Sequence, residues 1–365
     1  MMQVYKYEQI IEKIQNEITS NNWKPGSQIP SERDLVVYFD VSRITIKKAL
    51  QELVSRGVLV RYPQRRGTFV HAAKEEAEER PSPAKLIGVA IDDVSDRFGS
   101  TLLRGIEDFL WNQRIHTVIC NGDRDFKKVE DYFQSLLQNN IDGVILSPVI
   151  TEESYQDHNR NIIKLLQEKN VPFVLVDRNV AGIDANYVSS NHRESTYNLT
   201  KALIARGHRK NILLKGLPCS SMEEREAGYL DAMHEAGISV PEKWIIQLND
   251  NRLFTSIDVQ EIEKLKLALR RIGTLHSIVV LNNRLLKGFI TAMNLLSEEW
   301  YNDIVIALHD QLVVDLPCKE RVYQIIQPDY EVGKEAARLL TQTIEEKLQQ
   351  TRQIVLQSKI VLGQE

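Results

Sequence analysis

From residue 85 onward the chain alternates short apolar runs with amphipathic segments, and that alternation leaves few folds open. KLIGVAID, HTVICNG, DGVILSPV and PFVLVDR read as buried strands. Between them SDRFGSTLLRGIEDFLWNQ, KKVEDYFQSLLQNN and NIIKLLQEKN repeat apolar residues at helical spacing. A short YVSSN strand and the helix ESTYNLTKALIARG follow. The pattern resumes with NILLKG, EREAGYLDAMHEAG, WIIQLN, VQEIEKLKLALRRI, SIVVLN, RLLKGFITAMNLLS and DIVIALHD. Near-continuous apolar strands separated by helices mark parallel sheets covered on both faces. The spacing therefore predicts an α/β fold of two doubly wound parallel units in series. Ligands of such sheets lie at the C-terminal ends of the strands. With two units, the expected site is the cleft between them.

The first 71 residues are of a different kind. The chain has a formal net charge of −4, yet residues 1–71 hold 11 Lys/Arg against 7 Asp/Glu. A small basic module on an acidic body suggests a nucleic-acid contact, with a solvated charged face as the alternative. Ile10, Ile11, Ile14 and Ile18 predict a helix over 7–21. After the turn WKPGSQIP, Ser31 can cap a second helix reaching Phe39, with Asp34 completing a near capping box. A turn at Asp40–Val41 leads to Ser42, which can cap a third helix whose apolar face is Ile46, Ala49, Leu50, Leu53 and Val54. Gly57 ends it. VLVRY and GTFV then form two strands around a turn at Pro63–Arg66, so the module reads as a winged helix-turn-helix.

DNA reading fits this arrangement, because a helix enters the major groove with its N-terminal residues facing the bases. Near the start of the third helix, Ser42, Arg43, Thr45 and Lys47 point outward. Arg bonds guanine in bidentate fashion, and Thr contacts phosphate or a thymine methyl. Arg65 and Arg66 at the wing tip suit a narrow minor groove. Lys48 and Arg33 suit phosphate.

HAAKEEAEERPSPAK lacks core-forming residues and reads as a tether, placing a linker at 72–84. No apolar run approaches the roughly 18–20 residues that span a bilayer. The N-terminal MMQVYKYEQIIEKIQ does not read as a signal peptide. Cys120, Cys219 and Cys318 are far apart without CxxC spacing, which argues against disulfides or a zinc site and suggests a reducing cytoplasm. The eight His are scattered, and no Walker, GxGxxG or GxSxG pattern occurs. No cofactor or metal is expected, and Asp92–Asp93 reads as a loop cap.

"PSERDL", "VSRITIKKALQEL" and "GVLVRYPQRRGTFV" resemble the GntR-type winged-helix family over about 3–71. The resemblance implies DNA contacts by Arg33, Arg43, Thr45, Lys47, Arg66 and Gly67, with Lys47 standing where that family usually has Arg. "LLRGIEDFL", "IDGVILSP", "VPFVLVDR", "NLTKALIARGHRKNILL", "EREAGYLDAMHEAGI" and "QPDYEVGKEAARLLTQTIEEK" resemble the LacI/GalR-type effector domain, which is periplasmic-binding-protein-like (type I), over essentially all of 85–365. The combination resembles arabinose-repressor-type transcriptional regulators. In that family the chain crosses between subdomains three times. This implies one subdomain of about 85–187 and 320–347, and a second of about 188–319 and 348–365.

By the same resemblance, Phe98 matches an effector-stacking aromatic, Asp177 a hydroxyl-binding acid, and Arg225 the effector-binding Arg. Arg178 closes the same "VLVDR" strand. Asn282 matches the family's "ND", with Asn283 in place of the Asp. In "ALHD", His309 replaces the usual first Asp and Asp310 remains. Ser147 ends the third strand and can point into the cleft. The resulting expectation is a cytoplasmic, homodimeric regulator of double-stranded operator DNA, most simply a repressor, whose DNA affinity answers to a sugar or sugar phosphate. An enzyme fused to a DNA reader and a ligand-free dimerisation scaffold are the alternatives.

Overall fold

A computed structural model of the chain describes residues 6–20, 22–61, 67–71, 85–151, 155–251, 258–296, 300–346 and 350–364. The chain divides into two compact units, Met1–Pro83 and Ala84–Glu365.

In the first unit, helices α1 (Lys6–Thr19), α2 (Glu32–Phe39) and α3 (Arg43–Ser55) precede strands β1 (Leu59–Val60) and β2 (Phe69–Val70), which pair antiparallel. The capping box of α2 is complete: Ser31 Oγ accepts from Asp34 N at 3.3 Å, and Asp34 Oδ2 accepts from Ser31 N at 3.2 Å. Asp40 takes the left-handed conformation (φ +50°) that closes α2 and redirects the chain into α3. Ser42 Oγ accepts from Thr45 N at 3.2 Å and caps α3. The core is Ile10, Ile14, Leu35, Ile46, Leu50, Leu53 and Leu59, all essentially fully buried. Each such side chain contributes about 1.5–3 kcal/mol relative to exposure. Gly67 is required by position: φ is +124°, and a Cβ there would come within 2.2 Å of the Gln28 side-chain amide. The expected turn at Pro63–Arg66, with its wing-tip Arg65 and Arg66, and the linker 72–84 lie outside the described residues.

The second unit begins with β3 (Leu86–Ile91), α4 (Arg97–Asn112), β4 (His116–Asn121), α5 (Phe126–Gln138), β5 (Gly143–Leu146), α6 (Tyr155–Glu168), β6 (Phe173–Val176) and β7 (Asn186–Ser190). It continues through α7 (His192–Ala205), β8 (Asn211–Lys215), α8 (Ser220–Glu235), β9 (Ile245–Gln247), α9 (Val259–Ile272), β10 (Ser277–Val280), α10 (Asn283–Asn294) and β11 (Val305–Leu308). It ends with β12 (Val322–Ile326), α11 (Asp329–Glu346), β13 (Gln353–Leu356) and β14 (Lys359–Val361). One sheet has the order β13-β7-β6-β5-β3-β4 and is parallel throughout. The other has the order β14-β12-β11-β10-β8-β9, with β14 alone antiparallel. The two subdomains expected from the strand–helix alternation are present.

Their composition differs from the expected partition. Residues 322–326, expected in the first subdomain, form β12 of the second sheet. Residues 353–356, expected in the second, form β13 of the first. Only α11 of the 320–347 segment returns to the first subdomain, where it packs on α4. Gly105 and Gly333 permit that contact: a Cβ on Gly105 would lie 2.0 Å from Tyr330 O, and one on Gly333 2.1 Å from Leu102 O. "RQIVLQSKIVLG" thus supplies two strands, one to each sheet. The direction of β14 has a geometric cause. Both sheets aim the C-terminal ends of their parallel strands at the cleft. A chain leaving the first sheet there and continuing through only Gln357–Ser358 enters the second against its strand direction.

Candidate functional site

The three segments that cross between the subdomains are bonded to one another. Ser190 Oγ donates to Gln327 Oε1 at 2.7 Å, Asn191 Nδ2 to Gln357 Oε1 at 2.6 Å, and Ser358 N to Asn191 Oδ1 at 2.9 Å. Beside this hinge lies a cleft of about 750 Å³, lined from both subdomains. That volume falls within the roughly 300–1,000 Å³ of small-molecule sites.

Asp177, immediately after β6, is the centre of the cleft floor. Its backbone is left-handed (φ +63°), a conformation costly for a non-glycine residue and typical of functional sites. Its carboxylate meets Arg178 Nε at 3.2 Å, His192 Nε2 at 3.1 Å and Arg225 Nη2 at 3.9 Å. Burial opposes its ionisation, but the Arg178 guanidinium and the His192 hydrogen bond prevail and hold it well below the usual carboxylate range. Arg225, on the first turns of α8, is fixed by donating Nη1 to Leu281 O at 2.7 Å, with Nε 3.4 Å from His192 Nδ1. Arg178 donates Nη1 to Asp92 Oδ2 at 2.6 Å, to Pro148 O at 2.9 Å and to Ser147 Oγ at 3.2 Å. Its neighbours thus hold its fork in place, so little entropy remains to be lost when a ligand binds.

Charge also crosses the cleft. Arg124, from the loop after β4, reaches Asp250 Oδ2 at 3.2 Å and donates to Asn251 Oδ1 at 2.5 Å. In the opposite direction Arg284 of α10 reaches Asp93 Oδ2 at 3.1 Å and Asp96 Oδ2 at 3.3 Å. Burial works against ionised Asp250, while Arg124 and the Leu217 N–H keep it below the ordinary range. Asp92–Asp93 is therefore part of an ion network that ties the two subdomains together, and not merely the loop cap expected.

Of the residues singled out in the sequence, Phe98, Asp177, Arg178, Arg225, Asn282 and Asp310 line the cleft. Asn282 also caps α10, accepting from Leu285 N at 2.9 Å, and donates to Asp250 at 3.1 Å. Asp310 accepts from Asn283 N and from Gln327 Nε2, both at 2.9 Å. Gln327 thereby joins the cleft to the hinge. Ser147 and His309 stand behind the cleft wall, contrary to expectation. Ser147 is buried under Arg178 at the end of β5, and His309 is buried with Nδ1 2.7 Å from Thr196 Oγ1. Burial, then Arg225 and His192, push the His309 imidazole well below its ordinary pKa, so it is neutral. Sequence reasoning missed Arg124, Arg284, Asp250, His192 and Gln327. Their partners are remote in sequence, and a lone Arg or His carries no spacing signal.

Asp310 and a neighbour on α11, Asp329, are carboxyls raised above the ordinary aspartate range. Burial raises Asp310 to about 6. Burial first, then the charges of Asp310 and Asp177, raise Asp329 to about 8, against the opposing pull of Arg97 and Arg225. In the native chain Asp329 keeps its proton at pH values where the unfolded chain has lost it. This contribution to stability is complete below the ordinary aspartate pKa of 3.8 and is lost as pH rises through about 8. Melting curves between about pH 5 and about pH 9 should show the wild type declining more steeply than Asp329→Asn, whose amide carries no charge. Parallel declines would contradict the assignment.

In the first unit, Arg33, Ser42, Arg43, Lys47, Lys48 and Gly67 are exposed and Thr45 half-buried. Arg43 Nε lies 3.7 Å from Glu32. Lys48 Nζ stands 3.9 Å over the Tyr7 ring. The Ser42 and Thr45 hydroxyls bond each other at 2.8 Å. Among the described residues, no group of three or more His, Cys, Asp or Glu fits a metal ion, and no helix is long and apolar enough to cross a membrane.

Residues 84–361 match the model of the periplasmic binding proteins and sugar binding domain of the LacI family. The chain belongs to that family. Residues 6–70 of this LacI-family chain match the bacterial regulatory proteins of the gntR family. It is 22% identical over 342 residues to an arabinose metabolism transcriptional repressor of Geobacillus stearothermophilus, covering 94% of this chain and 92% of that protein. It is 25% identical over 283 residues to the transcriptional repressor PurR of Vibrio campbellii, covering 76% and 80%. A LacI family regulator from Enterococcus faecium, solved with bound ribose, superposes with a TM-score of 0.60 at 24% identity, covering 76% of this chain and 97% of that one. This LacI-family chain therefore joins a DNA-binding regulatory module to a ligand-binding body, and it is a ligand-controlled transcriptional regulator.

Proposed function

We propose that a monosaccharide or a close derivative binds in the cleft and sets the affinity of the winged helix for an operator. The observation that carries this reading is the Asp177–Arg178–Arg225 cluster. It offers one ionised acceptor and two fixed donor forks at the C-terminal ends of the strands, in a cavity that Phe98 also lines. Vicinal hydroxyls are both donors and acceptors, and the ring of Phe98 suits the apolar C–H face of a sugar. The Enterococcus protein with bound ribose and the Geobacillus arabinose repressor support the sugar class. The chain acts by binding and not by turnover, works in the cytoplasm, and pairs as a homodimer on a two-fold operator. Sugar relieves repression.

The DNA face comprises Arg43, Thr45 and Lys47 at the bases, and Arg33 and Lys48 at phosphate, with Ser42 held in its cap. Gly67 lets the wing backbone close over Gln28, and the role of minor-groove contact is assigned to Arg65 and Arg66.

A thermal-shift screen of monosaccharides and sugar phosphates tests the cleft. A ligand at about 100 times its dissociation constant adds about 2.7 kcal/mol of stability. One clear hit, lost in Arg225→Ala, is the expected result. No shift with any sugar would remove the sugar reading.

A further inference from the structure

The start of α3 carries a side chain that the charge-based account of DNA recognition leaves unused. Ile44 is 81% exposed, among the most exposed large apolar side chains described. A single exposed apolar residue needs no explanation in general, so its placement is what matters. The buried stripe of α3 is Ile46, Ala49, Leu50 and Leu53. At roughly 100° per residue, Ile44 falls almost diametrically opposite the middle of that stripe. It is the second residue of the helix, in the turn that a helix-turn-helix lays against base edges. Helical side chains lean toward the N-terminus, which carries this one toward the leading end of the helix.

The flanking side chains are cationic and partly restrained. Arg43 precedes Ile44 and rests near Glu32, while Lys48, one turn on, lies against Tyr7. The Ser42 and Thr45 hydroxyls are engaged with each other in the cap. Among these cationic side chains the exposed Ile44 has no hydrogen-bonding capacity. A polyanionic duplex complements the rim, and the one apolar group a base pair shows in the major groove is the thymine 5-methyl.

We propose that Ile44 is a specificity-determining residue that packs on a thymine methyl in each operator half-site. This rests on the DNA-regulator reading and adds to it a base identity that the charged side chains do not encode.

The test uses the full-length protein. An operator is first obtained by selection from random duplexes. Each thymine is then replaced by deoxyuridine, which removes only the methyl. One thymine per half-site is expected to lose about fourfold in affinity on replacement, the equivalent of one buried methyl. Ile44→Ala is expected to abolish that loss, and Ile44→Val to retain it. The salt dependence of binding should be the same in all three proteins, since no phosphate contact changes. Replacements that are all within twofold of neutral in the wild type would overturn the proposal. So would a deoxyuridine penalty that persists unchanged in Ile44→Ala. Failure to enrich any duplex sequence would instead overturn the DNA-regulator reading on which the proposal stands.

Discussion

Arg43→Ala is expected to weaken operator binding by about 1–3 kcal/mol per half-site, about 30-fold or more for a two-fold site at the lower bound. Arg43 is exposed at the start of the recognition helix, with Glu32 3.7 Å away to hold its fork in place before DNA arrives. An exposed ion pair of this kind contributes little to stability, so the substitution should leave melting unchanged. The loss should be concentrated on the selected sequence, leaving binding to random duplex much less affected. Arg43→Lys should recover little, because an ammonium cannot make the paired contact. Lys48→Ala, at a phosphate-contacting position, should instead weaken specific and random duplexes together, with a shallower salt slope. Fluorescence anisotropy over a range of salt separates the two behaviours. Equal losses for Arg43→Ala on both duplexes would assign it to the backbone.

The second large effect concerns the cleft. The side chains of Arg124 and Asp250 are 7% and 1% exposed at 3.2 Å, and they belong to different subdomains. Removing one partner of a buried pair leaves the other uncompensated, at a cost of about 3–5 kcal/mol. Arg124→Ala should therefore lower the unfolding free energy of the ligand-binding body by about that amount. Arg124→Ala/Asp250→Asn should recover a substantial part of it, since the amide still accepts from Leu217 N. Urea denaturation at neutral pH measures both. A loss below about 1 kcal/mol for the single variant would mean that the pair is solvated, as in an open cleft. The network would then be no latch between the subdomains.

Most of the architecture was legible because strand and helix periods alternate without interruption, and because Ser31, Asp34 and Ser42 cap helices as their spacing implies. What misled was the last third of the chain. VYQII and RQIVL are both apolar runs, and nothing local says which sheet each joins. Pairing partners decide that, and they are β11 for the first and β7 for the second. Six of the eight pocket residues line the cleft because they end strands or begin helices that open toward it. Ser147 and His309 also sit at strand ends, but their side chains turn into the protein, toward Arg178 and Thr196. A motif position does not encode that choice of face. Cross-cleft pairs such as Arg284–Asp93 were invisible for the same reason: they exist only once the two sheets face each other.

The central claim is that occupancy of the cleft controls the winged helix. The most direct measurement is operator affinity of the full-length protein with and without the sugar identified by thermal shift, repeated with Arg225→Ala. Allosteric couplings of about 1–3 kcal/mol are ordinary, a change of about 5–150-fold. The account predicts a change of that size in the wild type, toward weaker binding. In Arg225→Ala it predicts no change, with the affinity of the sugar-free protein preserved. Operator affinity that stays the same at saturating sugar in the wild type would contradict it.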